Sequence, residues 1–352
     1  MAKTSNSTSS STTEPSQTKL PNAHQRTADT ANIDTPPTPG CSAPASSAPC
    51  IAVLLCTKDG ARFLDEQVKS IHNQNHQNIH IYASDDGSID KTQSILHKHQ
   101  QSWNKEFFSI KTGPQQGFAA NFLSLACSPA IEADYFAFSD QDDIWESDKL
   151  SRAISKLKTI SPNTPALYCS RTQLIDESGF GIGYTPLCRK PPSFANSLVQ
   201  SIASGNTMVF NQAAHKVLCN AGQQEVASHD WWTYSLVTGV GGIVFYDSHP
   251  SVQYRQHDNN VLGASPGWRA TLLRIRLIMK GRFQGWNTLN IHALEQAREL
   301  LTPENRETLD TYTRARSRWL LPRAIGLWRS GVYRQSFSSH LGLAIATLLN
   351  KV

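Results

Sequence analysis

Three observations predict an α/β protein whose sheet is mostly parallel and flanked by helices. Residues 51–56 form an unbroken apolar run, which is typical of a strand buried on both faces. Leu64, Val68 and Ile71 then recur at helical spacing, and a second predicted strand follows at residues 79–84. Strands that alternate with helices in this way form βαβ units, in which the strands lie parallel in one sheet.

The same alternation continues along the chain. Runs of apolar β-formers predict strands, and apolar residues at helical spacing predict helices. The further predicted elements are a helix over about residues 90–99, a strand at 108–111, a helix at 117–126, strands at 135–139, 166–170, 206–211 and 242–246, and a helix that begins at residue 229. From residue 268 onward the pattern is helical and basic.

The chain begins with a segment that differs in composition from the rest. Residues 1–48 are rich in Ser, Thr, Pro and Ala, and this composition predicts disorder because it buries too little apolar surface to offset its ordering entropy. The segment lacks the apolar region of a signal peptide, and Glu14 and Asp29 argue against a transit peptide. We therefore expect an α/β domain over residues 49–262 and a helical extension over residues 263–352.

Charge is distributed unevenly between these parts. Residues 262–352 contain 14 Lys and Arg against 5 Asp and Glu, whereas the whole chain carries a net charge of only +5. This asymmetry predicts an anionic partner, either a membrane surface or nucleic acid. No nucleic-acid-binding motif accompanies the charge, which favours the membrane surface. No run of 18 apolar residues is present that could span a bilayer.

The seven cysteines are scattered and form no CxxC motif. Cys56 and Cys219 have apolar neighbours, which is typical of reduced thiols in the core of a cytosolic protein. We therefore do not expect the cysteines to form a zinc site.

Three carboxylates follow the predicted strand at residues 135–139, namely Asp140, Asp142 and Asp143. Crowded carboxylates repel one another and lose hydration, so a cation is the usual compensation. Asp140 and Asp142 are two residues apart and can converge on one hard ion such as Mg²⁺ or Mn²⁺. The alternative is an acidic turn in which Asp142 or Asp143 caps the next helix.

Polar residues also follow the first two predicted strands, at residues 57–60 and 85–88. In open α/β sheets, ligands bind at the carboxyl ends of the strands. Three polar strand endings therefore predict one ligand site. In the second ending, Asp85 or Asp86 can accept hydrogen bonds from a nucleobase or ribose, although an ordinary Asp-Gly turn is the alternative.

These motifs together resemble family 2 glycosyltransferases, which have the GT-A fold. The Asp-Asp-Gly-Ser turn at residues 85–88 precedes Asp140-Gln141-Asp142 by about 55 residues, and His229-Asp230-Trp231-Trp232 follows about 90 residues later. With Tyr254-Arg255-Gln256-His257, they look most similar to bacterial rhamnosyltransferase-type enzymes of surface-polysaccharide assembly. The resemblance covers about residues 50–262. At residues 57–59, Thr-Lys-Asp replaces the Thr-Tyr-Asn-like triplet of the family.

The resemblance implies an inverting, metal-dependent transfer from a nucleotide-diphosphate sugar, either dTDP-rhamnose or a UDP-sugar. The acceptor would be a saccharide or a lipid-linked saccharide. Asp142 would bind Mn²⁺ or Mg²⁺, Asp140 would contact the ribose or the metal, and His257 would be a further metal ligand. Asp230 would act as the catalytic base that takes the acceptor hydroxyl proton, with a helix cap as the alternative.

The resemblance also implies residues on each side of the transferred sugar. On the donor side these are Thr57, Asp59, Asp85, Asp86, Gly117, Asn121, Asp140 and Arg255. On the acceptor side these are Gly205, Asn206, Trp231 and Trp232, with core filling as the alternative for both tryptophans.

The predicted extension carries two further expectations. The Gln-x-x-Arg-Trp motif of processive members is missing after Asp230, which favours single addition. Residues 272–280 and 316–333 mix Arg with Leu, Ile and Trp. They form either helices that pack on the catalytic domain or interfacial helices that hold the enzyme at anionic lipid, on the cytoplasmic face of the inner membrane.

Two other functions are compatible with acidic strand endings. A nucleotidyltransferase would carry a Gly-rich phosphate loop with Lys or Arg after its first strand, of which residues 58–62 are only a weak version. A catalytically silent nucleotide-sugar-binding scaffold would not need both Asp142 and Asp230.

Overall fold

The computed structural model describes residues 48–103, 106–257 and 282–349. Within them, nine strands form one sheet in the order β3-β2-β1-β4-β8-β6-β9-β5, with β7 paired to β6. The strands are β1 (Ile51–Thr57), β2 (Ile79–Asp85), β3 (Phe108–Thr112), β4 (Tyr135–Ser139), β5 (Ile144–Trp145), β6 (Ala166–Ile175), β7 (Gly181–Tyr184), β8 (Val209–Asn211) and β9 (Ile243–Arg255).

The first half of the sheet confirms the predicted α/β fold. Strand β1 pairs in parallel with β2 and β4, and β2 pairs in parallel with β3. Every residue of β1 and β2 is buried, including the polar His80, Ser84 and Asp85 of β2, as expected for strands covered on both faces. The chain winds outward from β1 in one direction and returns beside it at β4. Such a switch point opens a crevice at the carboxyl ends of the strands.

The second half of the sheet is mixed. Strand β8 runs antiparallel to both β4 and β6, whereas β9 is parallel to β6. The strand predicted at residues 206–211 is divided into a 3-10 turn, Gly205–Thr207, and the short β8. The parallel character of the sheet is therefore concentrated where strands alternate with helices.

Eleven α-helices accompany this sheet in the described residues. They are α1 (Leu64–His72), α2 (Thr92–Trp103), α3 (Phe118–Ala126), α4 (Lys149–Leu157), α5 (Phe194–Ser197), α6 (Gln212–Asn220), α7 (His229–Gly239), α8 (Arg282–Gln296), α9 (Pro303–Arg316), α10 (Leu320–Arg329) and α11 (Phe337–Leu348). Helix α3 begins directly after Gly117, whose φ of 91° favours glycine.

The first C-terminal helices pack on the α/β domain. The Tyr312 hydroxyl donates a hydrogen bond to Asn287 Oδ1, and Asn287 Nδ2 donates to the Leu198 carbonyl. Tyr312 belongs to the same hydrophobic core as Phe122 beside the sheet. No described helix combines the length and apolar character needed to cross a membrane. The basic segment at residues 272–280 lies outside the described residues.

Two predictions about individual residues are wrong. The residues that follow Asp143 form β5 and not a helix, and the next helix begins only at Lys149, so neither Asp142 nor Asp143 is a helix cap. Cys50 is disulfide-bonded, whereas Cys56, Cys127, Cys169, Cys188 and Cys219 are free.

Candidate active site

A cleft of about 1100 Å³ lies at the carboxyl ends of β1, β2 and β4. It is lined by ten of the residues proposed from the sequence, which are Thr57, Asp59, Asp86, Gly117, Asn121, Asp140, Asp142, Gly205, Asp230 and His257. The three polar strand endings thus meet in one place, as the parallel sheet requires. The volume is sufficient for a ligand of nucleotide-sugar size.

The Asp85 carboxylate lies beneath the cleft and is saturated with hydrogen bonds. It accepts them from Thr57 Oγ1 at 2.8 Å, Ser88 N at 3.0 Å, Ser88 Oγ at 2.5 Å and Gln93 Nε2 at 2.9 Å. Burial opposes ionisation, but these donors outweigh it and lower the pKa of Asp85. Asp85 does not line the cleft, and its contacts fix the turn after β2.

Asp86 faces the cleft and orders the loop that enters α3. Its two carboxylate oxygens accept hydrogen bonds from the backbone N–H groups of Gln115, at 2.6 Å, and Gly117, at 3.2 Å. Asn121 exchanges two hydrogen bonds with Ser84, one to its hydroxyl and one to its carbonyl. The Asn121 amide therefore already has protein partners, whereas Asp86 retains acceptor capacity toward a ligand.

Gln141 joins the endings of β1 and β4. Its Oε1 accepts a hydrogen bond from Lys58 N at 2.7 Å, and its Nε2 donates to Lys58 O at 2.9 Å. Lys58 Nζ in turn donates to the Gly87 carbonyl at 2.5 Å. Asp59, with φ of 47°, accepts a hydrogen bond from Ile89 N at 2.8 Å. These contacts connect all three strand endings.

The acidic loop at residues 140–143 has a different electrostatic character. Burial, and then the carboxylates of Asp142 and Asp230, raise the pKa of Asp140 to about 8. Burial, and then the carboxylates of Asp142 and Asp140, raise the pKa of Asp143 well above its usual value. Asp143 is fully buried and accepts hydrogen bonds from Asn206 Nδ2 at 2.6 Å and Arg255 N at 3.2 Å. The loop concentrates carboxyl groups whose ionisation is opposed by burial and by one another, and its protein contacts compensate this only partly.

Two buried basic side chains, Lys149 and Arg255, lie behind this loop. The Lys149 ammonium is 3.0 Å from the centre of the Trp145 ring, and burial lowers its pKa well below the usual value although Asp143 and Asp140 oppose this. The Arg255 guanidinium donates to the Asp142 carbonyl at 3.0 Å and pairs with Glu66 at 2.5 Å. Arg255 does not line the cleft, so it supports the loop from behind and is not placed to contact a phosphate.

A divalent cation would find two adjacent ligands at the mouth of this loop. Asp142 Oδ2 and His257 Nε2 are 2.7 Å apart, and carboxylate and imidazole are both acceptable ligands for Mn²⁺. Among the described residues, no group of three or more His, Cys, Asp or Glu side chains is arranged to hold a metal. This incomplete set fits an ion such as Mg²⁺ or Mn²⁺ that takes further ligands from substrate phosphates.

Asp230 lies across the cleft, in the first turn of α7. Its Oδ2 accepts a hydrogen bond from Gly205 N at 3.1 Å, and Ser228 occupies the helix N-cap position instead. A Cβ atom at Gly205 would lie 2.6 Å from His229 Nε2, so only glycine fits this close approach. Asp230 Oδ1 also accepts a hydrogen bond from Trp231 N at 2.7 Å, so the carboxylate lies in the cleft wall and binds a helix N–H from within the first turn.

Three residues proposed for the acceptor side lie away from the cleft. Trp232 is fully buried in the core, and Trp231 is nearly so, with its Nε1 donating to the Ser197 carbonyl. Asn206 is buried between Ser204 and Asp143. The structure thus favours core filling for both tryptophans and places Asn206 beneath the acidic loop.

Sequence reasoning assigned no role to two other cleft residues, His229 and Tyr254. The His229 ring stacks on Phe122 with centroids 3.8 Å apart, and neither ring nitrogen has a hydrogen-bond partner among the described residues. Burial lowers the pKa of His229 to about 4, so the imidazole is neutral at physiological pH. Its position directly before Asp230 is the only sequence signal that indicates it.

Comparisons with known proteins indicate the family to which this chain is related. A family model described as glycosyl transferase family 2 matches residues 52–180. The chain is 30% identical over 238 residues to the dTDP-rhamnosyl transferase RfbG of Shigella flexneri, an alignment that covers 64% of this chain and 78% of that protein. It is 26% identical over 224 residues to an uncharacterized glycosyltransferase of Haemophilus influenzae, covering 60% and 67% of the two chains.

A solved structure shares the fold. It is the crystal structure of GalNAc-T7 with UDP, GalNAc and Mn²⁺, at a TM-score of 0.50 and 8% sequence identity. The superposition covers 86% of this chain and 58% of that chain. At this level of identity the likeness concerns the fold alone.

Proposed function

This chain belongs to glycosyl transferase family 2, and from that premise we propose that it transfers a single sugar, with inversion, from a nucleotide-diphosphate sugar to a hydroxyl group. The acceptor that we propose is a saccharide or a lipid-linked saccharide. One observation carries the proposal: Asp86, the Asp142–His257 pair and Asp230 line the same cleft from different elements. A donor and an acceptor can therefore meet between them.

The donor side is the more fully preorganised part of the cleft. Lys58, Gln141 and the turn after β2 hold one another through backbone and side-chain hydrogen bonds, so the wall does not need to reorganise on binding. Asp86 and Asp59 would accept hydrogen bonds from the nucleoside. Gly117 leaves open space beside its Cα, which permits close approach of a ligand to the backbone.

Asp230 would act as the general base. Its carboxylate would take the proton of the acceptor hydroxyl while that oxygen bonds to the anomeric carbon and the bond from that carbon to the diphosphate oxygen breaks. The hydrogen bond from Gly205 N orients the carboxylate. Because the adjacent His229 imidazole is neutral, it does not offset the negative charge of the Asp230 carboxylate.

Asp142 and His257 would hold a divalent cation, with Asp140 beside them. When bound, Mn²⁺ or Mg²⁺ would stabilise the negative charge of the departing nucleotide diphosphate. The raised pKa of Asp140 supports this assignment because a nearby cation would offset the burial and the carboxylate repulsion that now favour its proton.

We propose dTDP-rhamnose as the donor, because the Shigella flexneri relative is a dTDP-rhamnosyl transferase. The test is a panel of nucleotide sugars in which release of nucleoside diphosphate is measured with and without Mn²⁺. We expect the highest rate with dTDP-rhamnose and Mn²⁺, and a loss of about 10²- to 10⁴-fold in Asp230→Asn. A UDP-sugar as best substrate would change the donor assignment, and an unimpaired, folded Asp230→Asn variant would exclude Asp230 as the base.

A further inference from the structure

Helix α10 presents an apolar stripe to solvent. Leu321, Ile325 and Trp328 recur at intervals of four and three residues, so they share one face of the helix. Their exposed fractions run from 51% to 82%. Trp319, which directly precedes the helix, is also exposed.

Helix α11 repeats this arrangement. Phe337, Leu341, Ile345 and Leu348 lie on one face, with exposed fractions from 48% to 86%. Soluble proteins rarely leave several large apolar side chains together on their surface unless the surface binds a partner. Two consecutive helices with such stripes therefore indicate an interaction surface.

The inward faces of both helices are already filled. Leu327 of α10 and Leu343 and Ala346 of α11 are buried in the main hydrophobic core. The buried Arg323 donates hydrogen bonds to the Thr347 carbonyl at 3.1 Å and to the Arg318 carbonyl at 2.5 Å, which joins the two helices. The exposed stripes are therefore outer faces of a docked helix pair.

The charge of this region identifies the chemistry of its partner. Residues 311–352 contain six Arg and one Lys, and neither Asp nor Glu. The exposed Arg318 and Arg329 lie beside Trp319 and Trp328, and neither forms an ion pair with any residue in the described part of the chain. Exposed Trp with Arg and aliphatic side chains is the composition that membrane interfaces favour.

We propose that the outer face of α10 and α11 docks on an anionic lipid bilayer. The apolar stripes would enter the boundary between headgroups and acyl chains, and Arg318 and Arg329 would contact lipid phosphates. A second copy of the chain fits this face less well, because its own positive charge would oppose self-association. The inference goes beyond sugar transfer, since docking requires no catalysis.

The test is co-sedimentation of the full chain with vesicles of phosphatidylcholine that contain phosphatidylglycerol, or with phosphatidylcholine vesicles alone. We expect binding to the anionic vesicles that high salt weakens. The variant Leu321→Gln, Ile325→Gln, Trp328→Gln should lower the partition coefficient by at least about 100-fold, because three apolar side chains no longer leave water. A variant with Arg318→Gln and Arg329→Gln should lose about 5-fold per arginine on anionic vesicles only.

The matched control removes three exposed apolar side chains elsewhere, by Phe180→Gln, Ile182→Gln and Leu187→Gln. We expect this control to bind vesicles as the wild type does. No binding, equal binding to both vesicle types, or equal loss in the control would overturn the proposal. The proposal would also be overturned if the wild type bound no vesicles and instead formed a dimer in sedimentation equilibrium that the α10 variant could not form. Circular dichroism verifies that each variant is folded.

Discussion

The acidic endings of β2 and β4 look alike in sequence but differ in how their charge is compensated. Asp85 accepts four hydrogen bonds, and its pKa is lowered. The Asp140 carboxylate accepts no hydrogen bond from a described residue, and its pKa is raised to about 8. A carboxylate saturated by donors stabilises the fold, whereas one that repels its neighbours needs a proton or a cation.

This difference separates structural from functional carboxylates in the same cleft. The hydrogen bonds that Asp85 accepts all serve the turn that it orders. Asp143 accepts hydrogen bonds from Asn206 Nδ2 and Arg255 N. Asp140 and Asp142 line the cleft and retain capacity for a ligand. Substitution at the two strand endings should therefore change different properties of the enzyme.

The largest expected effect is the loss of catalytic activity caused by Asp142→Asn. The substitution keeps the shape of the side chain but removes the charge that would hold a divalent cation beside His257. We expect kcat/KM to fall by at least about 10³-fold, since metal stabilisation of a leaving group contributes several kcal/mol. The measurement is steady-state release of nucleoside diphosphate at saturating Mn²⁺. Thermal denaturation serves as the control, because substitution of the half-buried Asp142 should leave Tm nearly unchanged. Full activity of the variant would contradict the metal assignment.

The next effect concerns stability and pH. The usual pKa of an aspartate is 3.8, and that of Asp140 is about 8 in the folded protein. As the pH rises between these values, the unfolded chain loses a proton that the folded protein keeps, so the free energy of unfolding falls.

Thermal denaturation without metal, from pH 4 to pH 8, would check this expectation. The decrease of Tm with pH should be smaller in Asp140→Asn than in the wild type. Mn²⁺ should raise Tm more at pH 8 than at pH 5, because a cation can replace the proton only where the proton is being lost. If Tm decreased with pH as steeply in Asp140→Asn as in the wild type, ionisation of Asp140 would not be the cause of the decrease.

Asp85→Asn should show the opposite pattern, with a loss of stability and a smaller direct effect on chemistry. The new amide group would face donors on Thr57, Ser88 and Gln93, and an unsatisfied buried group costs about 1–3 kcal/mol. Because the pKa of Asp85 is lowered, its stabilisation is present at neutral pH and is lost as the pH falls below the usual value.

Urea denaturation at pH 7 measures this cost. Asp134→Asn is a matched control, since the exposed Asp134 accepts one hydrogen bond, from Cys50 N. We expect a smaller change there. A larger loss of stability in Asp142→Asn than in Asp85→Asn would reverse the proposed division between the two strand endings.

The sequence was sufficient where signals are local. Strand β1 is an apolar run that ends in a polar turn, β2 is rich in β-formers, and α1 and α3 repeat their apolar residues at helical spacing, so these elements could be placed directly. Strand β8 has only three residues and follows a 3-10 turn, which leaves too short a pattern to show its antiparallel pairing.

The site was harder to predict where partners are distant in sequence. Asp143 resembled a helix cap because nothing near it reveals that Asn206 and Arg255 N bind its carboxylate. Trp231 and Trp232 were assigned to the acceptor side from the sequence, whereas in the fold both are buried in the core. Lys149 gave no signal, because a buried lysine is recognised only from the groups that surround it.

The smallest expected effect tests the residue that connects the two endings. Gln141 lies between Asp140 and Asp142, yet within the described part of the chain its amide forms hydrogen bonds only with the backbone of Lys58. Gln141→Ala should therefore cost about 1 kcal/mol of stability and raise the KM for the donor more than it lowers kcat. Gln141→Glu keeps the acceptor for Lys58 N but adds a negative charge to a loop that already repels itself, so its stability should fall further at pH 8. If Gln141→Ala reduced kcat as severely as Asp142→Asn, the geometry of the connection, and not the charge of the loop, would limit catalysis.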